Sequence, residues 1–140
     1  MNVSLDDKKK TLLNKLKEQG ITDEIVLAVI ADIPREDFIP DFLRSQAYEN
    51  AALPIESEQT ISQPYIVAYM TQELRVTKNH KVLEIGTVSG YQAAVLAKLC
   101  KRLFTIERHM TLFKGAEEMF KKLRLYNITT LFGNGMKGWK

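Results

Sequence analysis

The sequence predicts an α/β fold, a parallel sheet covered by helices and preceded by a helical amino-terminal region. Three observations carry this. The apolar residues Val82, Leu83 and Ile85 run into Gly86, and Ser89 to Leu99 then reads as a helix, the pattern of a buried parallel strand that turns sharply into the next helix. Arg102 to Ile106 and Ile128 to Phe132 repeat the apolar, β-branched character of strands farther along, so strands are expected at about 81–86, 102–106 and 128–132. Upstream of all three, apolar residues recur at helical rather than strand spacing.

The elements follow in order. Leu12, Leu13 and Leu16 mark a first amphipathic helix closed by Gly20. Thr22 is the expected N-cap of a second, with Ile25, Val26, Val29 and Ile30 facing the core before Pro34 stops it. Residues 35–63 read as irregular chain with short helical turns. Pro64 opens a helix through Leu74, at the position where proline is tolerated, which places Ser62 at or just before a helix amino end. No repeat or low-complexity linker interrupts the chain. It is expected to be one domain over 1–140, with a helical region over 1–75 and the three-stranded region over 76–140.

Composition narrows the function. At 140 residues with a net charge of +3, the chain lacks the basic stripe of a nucleic-acid-binding protein, and Lys8, Lys9 and Lys10 read as a solvated helix end. Cys100 is the only cysteine, so no intramolecular disulfide forms. No signal peptide or long apolar span is visible, which leads to the expectation of a cytoplasmic protein without membrane contact. His80 and His109 lack the spacing and companions of a metal site and are expected on the surface, so no metal is implied.

The turn after the first strand is where an α/β sheet holds a ligand, and its spacing restricts which one. A dinucleotide site needs G-x-G-x-x-G, yet from Gly86 the next two glycine positions are Val88 and Tyr91. The Gly-Lys-Ser/Thr of a phosphate-binding loop is also absent here. What remains is an acidic residue followed by Gly86 and Gly90, similar to the E/D-x-G-x-G-x-G turn of S-adenosylmethionine methyltransferases with Val88 at the middle glycine. The alternative for the turn alone is an ordinary strand-to-helix connection. Glu107, at the end of the second strand, sits where a carboxylate accepts ribose hydroxyls; the alternative is a solvated charge at a strand end. Gly133-Asn134-Gly135 after the third strand is a loop that can reach an adenine edge, although Asn-Gly is also a common turn. Ser62 has a comparable alternative as a helix cap.

The segment Gln59-Thr60-Ile61-Ser62-Gln63-Pro64-Tyr65 carries more specific information. With Pro34-Arg35-Glu36-Asp37-Phe38-Ile39-Pro40, Ala47-Tyr48-Glu49, Ala51 to Ile55 and Leu83 to Gln92 in the same order, it resembles the protein-L-isoaspartate O-methyltransferase family, from about residue 12 to the end. The resemblance implies a Rossmann-like fold, S-adenosylmethionine as methyl donor, and isoaspartyl-containing proteins or peptides as acceptors. Thr60, Ile61 and Ser62 then line the acceptor and donor walls, with the Ser62 hydroxyl as the catalytic contact. Gly86, with Thr87 and Ser89 beside it, turns against the methionine moiety. Glu107 accepts the ribose, Arg108 lies beside the adenine, and Asn134 and Gly135 belong to the adenine loop.

The implied chemistry needs no strong base. The isoaspartyl α-carboxylate is ionised at neutral pH, with a pKa of about 3.5, and attacks the sulfonium methyl in line. Orientation and dehydration of the nucleophile carry catalysis. The ester then collapses to a succinimide that opens partly to normal aspartate, which is protein repair.

Three departures qualify the resemblance. Valine at position 88 resists positive φ and adds bulk where backbone and ligand meet, a cost of about 1–3 kcal/mol. Asn134 replaces the family's aspartate and keeps a side-chain oxygen acceptor. The sequence corresponds to roughly the amino-terminal two thirds of the family's length, which leads to the expectation of a truncated parallel sheet whose first strand exposes an edge, closed by homo-oligomerisation. The alternative to an isoaspartyl methyltransferase of reduced activity is therefore a catalytically silent remnant that self-associates or acts as a binding module.

Overall fold

A computed structural model describes residues 3–135. The element order is α1 (Leu5–Glu18), α2 (Glu24–Asp32), two 3-10 turns (Arg35–Phe38 and Asp41–Gln46), β1 (Leu53–Pro54), β2 (Thr60–Ile61), α3 (Pro64–Leu74), β3 (Lys81–Ile85), α4 (Tyr91–Ala97), β4 (Arg102–Glu107), α5 (Met110–Lys122) and β5 (Ile128–Phe132). Strands β3, β4 and β5 form one parallel sheet in that order, with Leu83 opposite Phe104 and Ile106 opposite Leu131. The α/β expectation therefore holds, with strand bounds within a residue of those read from the sequence. Among the described residues no helix is long and apolar enough to cross a membrane.

The amino-terminal helices form for local reasons. Ser4 caps α1 by accepting from the Asp7 N–H at 3.1 Å, and Leu12 and Leu16 point into the core. Asp23, not Thr22, caps α2: its carboxylate accepts from the Ile25 and Val26 N–H groups. The Thr22 and Asp23 N–H groups instead donate to Oε1 of Gln72 on α3, a distant partner that local sequence does not reveal. On α2 Leu27 is buried while Ile25 is 66% exposed, which corrects the expectation for Ile25. The three lysines are not one solvated helix end. Lys8 and Lys9 are half-buried and donate to the Ser45 and Ala31 carbonyls, and only Lys10 is exposed.

Helix α4 is the hub of the packing. Every residue from Tyr91 to Ala97 except Gln92 is buried, between the amino-terminal helices and the sheet. It is shorter than the expected 89–99 because residues 88–90 form the preceding turn and Leu99 and Cys100 close it with bonds to Leu96. The segment over 35–63 contains the expected short turns. It also holds an antiparallel pairing of β1 with β2, with Leu53 opposite Ile61, too short to show in a sequence pattern. His80 is exposed, whereas His109 is half-buried at the start of α5. Along the edge of β3, Leu83 and Ile85 are exposed beside Met70 and Leu74 of α3.

Candidate functional site

The carboxyl ends of β3 and β4 position the site. Gly86 leaves the sheet at φ +88, and its N–H and that of Thr87 both donate to the Ile106 carbonyl, at 2.8 and 3.2 Å. Val88 follows at φ +52, in the left-handed region that β-branched residues rarely occupy. Gly90 ends the turn at φ +87, and a Cβ there would lie 3.1 Å from the Phe120 ring, so α4 and α5 pack too closely for a side chain.

Glu107 holds this turn in place. Its Oε1 accepts from the strained Val88 N–H at 2.8 Å and its Oε2 from the His109 N–H at 2.7 Å. The residue is 3% exposed, so the reading of Glu107 as a solvated strand-end charge fails. A carboxylate offers about four lone-pair directions, and the two N–H groups leave two.

A second polar chain lies beneath the turn. Thr87 is buried, and its hydroxyl meets the Thr105 hydroxyl at 2.6 Å; Thr105 donates onward to Oε1 of Glu84 at 2.7 Å. Thr87 thus brings its backbone, not its hydroxyl, to the cleft. Desolvation pushes the Glu84 carboxyl up to about 7, with repulsion from Glu107 in the same direction and the Thr105 hydrogen bond opposing it. Glu84 is the acidic residue of the turn pattern, whereas Thr105 carried no signal in the sequence. A single acid inside an otherwise apolar strand is the signal that marks Glu84.

Two cavities meet at the turn. Thr60, Ile61, Ser62, Thr87 and Ser89 line one of about 400 Å³, together with Glu84 and Tyr91. Glu107, Arg108, Asn134 and Gly135 line another of about 280 Å³, with Gln59 and His109 beside them. Ile85, Gly86 and Val88 border both. All the residues singled out from the sequence therefore fall along one cleft outside the strand ends, where ligands bind open α/β sheets.

Within that cleft Ser62 is exposed and does not cap α3. Gln63 occupies the N-cap position without a side-chain bond, and Asn50 supplies the capping oxygen from a remote segment, accepting from the Tyr65 N–H at 3.0 Å. The capping reading of Ser62 is excluded, and Ser62 lines the cleft with Thr60 exposed nearby and Ile61 buried between them. Among the described residues no three His, Cys, Asp or Glu side chains are placed to hold a metal.

Comparison with known proteins accords with this geometry. The family model described as protein-L-isoaspartate(D-aspartate) O-methyltransferase matches residues 7–140. A protein-L-isoaspartate O-methyltransferase of Parvibaculum lavamentivorans is 53% identical over 134 residues, covering 96% of this chain and 60% of that protein. A solved structure named protein-L-isoaspartate O-methyltransferase superposes with a TM-score of 0.80 at 27% identity, over 91% of this chain and 42% of that one. A second, from Plasmodium falciparum and described as a complex with S-adenosyl-L-homocysteine, superposes at 0.75 with 22% identity, over 94% and 65% of the two chains, and shares the Rossmann-like fold. The chain spans less than two thirds of the length of the curated relatives it matches. On the match over residues 7–140 and the identity to its relatives, the chain belongs to the protein-L-isoaspartate(D-aspartate) O-methyltransferase family.

Proposed function

We propose that this chain acts in protein repair as a protein-L-isoaspartate O-methyltransferase, moving a methyl group from S-adenosylmethionine to the carboxylate of an L-isoaspartyl residue. The observation that carries the reading is the pair of cavities meeting at the turn across the ends of β3 and β4, with Thr60, Ile61 and Ser62 bordering one and Glu107, Arg108, Asn134 and Gly135 the other. The region over 1–75 lines both acceptor and donor and the region over 76–140 carries the donor-binding sheet, as parts of one domain.

The residues present suit the donor. Gly86 turns at positive φ between the cavities, and the two lone-pair directions left on Glu107 match a pair of ribose hydroxyls. Arg108 is exposed at the adenine end, and the Asn134 side-chain oxygen is the acceptor for an exocyclic amino group. Bound here, S-adenosylmethionine supplies a methyl group made electrophilic by its sulfonium.

The chain's own residues do the rest. The Ser62 hydroxyl donates to one oxygen of the isoaspartyl carboxylate and holds the other toward the methyl carbon. Ile61 and Tyr91, both buried, exclude water on the inner wall. The nucleophile is already an anion at neutral pH, so alignment replaces base catalysis. A cytoplasmic location, with damaged proteins as partners, goes with this reading. Transfer of labelled methyl from S-adenosylmethionine to an isoaspartyl peptide, with the aspartyl peptide as control, tests it. Transfer to the isoaspartyl form alone is expected, and no transfer from folded protein would overturn it.

One observation favours a second reading, a self-associating module without activity. Leu83 and Ile85 on the edge of β3 are 46% and 57% exposed, and Met70 and Leu74 beside them 53% and 55%. Such an edge invites pairing with another copy. A folded dimer without affinity for S-adenosylmethionine would select this alternative.

A further inference from the structure

Arg35 is fully buried, yet no carboxylate lies within ion-pair distance of it among the described residues. Its Nε donates to the Ala47 carbonyl at 2.8 Å, and its Nη2 donates to the Ser62 carbonyl at 2.9 Å and the Ala51 carbonyl at 3.4 Å. The guanidinium carbon lies 4.9 Å from the centre of the Tyr91 ring, and Nη1 has no hydrogen-bonded acceptor. Glu36, the nearest acid in sequence, is engaged by the Tyr48 hydroxyl.

Packing alone explains this arrangement poorly. A guanidinium remains charged throughout the accessible pH range, and a buried charge without a counter-ion is costly where an apolar side chain of similar volume is not. What the charge does possess is a direct bond to the Ser62 backbone. The forked donation holds the backbone at the junction of β2 and α3, where Ser62 lies.

We propose that Arg35 is a positioning residue for the methyl acceptor: it fixes Ser62 through the Nη2 bond and lends its unneutralised positive charge to the acceptor carboxylate. The inference rests on the reading of Ser62 as the acceptor contact. It also predicts where the effect appears in turnover. In the transfer a carboxylate oxygen forms a bond to the methyl carbon as the carbon–sulfur bond breaks, the bonding pair leaves with sulfur, and no proton moves. The acceptor's negative charge fades along this path, so a fixed positive charge favours the bound acceptor more than the transition state. Its removal raises KM for the acceptor without lowering kcat.

The test uses the full chain with an isoaspartyl peptide and the same peptide carrying a carboxamide in place of the α-carboxylate. Calorimetry on the parent should show roughly tenfold preference for the carboxylate, the factor that about 1.4 kcal/mol confers. Arg35→Lys keeps the charge with fewer bonds and should retain the preference at weaker overall affinity. Arg35→Met should lose the preference while affinity for S-adenosylhomocysteine stays at the parent value.

Should Arg35→Met fail to fold, nitrogen–proton NMR of the Arg35 Nε–H in the unaltered chain replaces it. A shift on adding the carboxylate peptide and none with the carboxamide is expected. A peptide that binds without regard to its carboxylate, or without moving the Arg35 signal, overturns this inference and leaves the proposed function standing. A chain that binds S-adenosylhomocysteine and neither peptide overturns both.

Discussion

Replacing Val88 separates the energetics of the turn from those of ligand binding. Val88 already stands at φ +52 in the ligand-free chain, so its strain is met on folding and not on binding. A left-handed β-branched residue costs about 2 kcal/mol. Val88→Gly removes that strain, loses about 0.7 kcal/mol for half of a valine's burial, and loses about 0.5–1 kcal/mol through the more flexible unfolded chain. The net change in unfolding free energy is therefore within about 1 kcal/mol of zero. Val88→Ala deletes the same methyl groups and keeps most of the strain, so it should be less stable than Val88→Gly by about 1 kcal/mol. Urea unfolding at neutral pH reads both values. Because Val88 borders both cavities, the two substitutions should raise affinity for S-adenosylmethionine alike, by roughly tenfold if about 1.4 kcal/mol of obstruction is relieved. An alanine variant as stable as the glycine one would refute the strain argument. An affinity gain confined to the glycine variant would return the strain to the binding step.

The remaining predictions concern other parts of the same account. Glu84 is raised from 4.5 to about 7 in the folded chain, so its contribution is fully present below pH 4.5 and is lost as pH rises through about 7; urea unfolding of Glu84→Gln should lack that decline. Asn50→Ala removes the remote cap of α3 at the Tyr65 N–H and should lower the unfolding free energy by about 1 kcal/mol, with a change below a tenth of that counting against the capping role. Leu83→Lys places a charge on the exposed edge of β3 and should shift light-scattering mass toward the monomer, whereas an unchanged mass would exclude that edge as the interface. Asn134→Asp offers the adenine amino group a charged acceptor and should tighten S-adenosylmethionine binding in calorimetry; weaker binding would contradict the placement of that loop.

The sheet and its order of elements were legible because periodicity and turn glycines are local signals. Val82 to Gly86, Arg102 to Ile106 and Ile128 to Phe132 each carry their own strand pattern, and Pro64 announces α3 directly. What escaped was decided by distant partners. Gln72 accepts from the Thr22 and Asp23 N–H groups before α2, Asp23 is the cap, and Ile25 is exposed. Asn50 caps α3 from another segment, which freed Ser62 from the role that local reasoning allowed it. The spacing of Glu107 from Gly86 marked a carboxylate beside the turn, but its burial under the Val88 N–H needed the three-dimensional turn. Arg35 gave no local sign of its position, because its three carbonyl partners lie 12 to 27 residues away.

The central claim is that the cleft across the ends of β3 and β4 is a methyl-donor site, and titration of S-adenosylmethionine into the folded chain by calorimetry tests it most directly. The account predicts saturable binding at one site per chain, weakened by Glu107→Gln in a variant that remains folded. Absence of binding to the folded parent, or binding indifferent to Glu107, would contradict it.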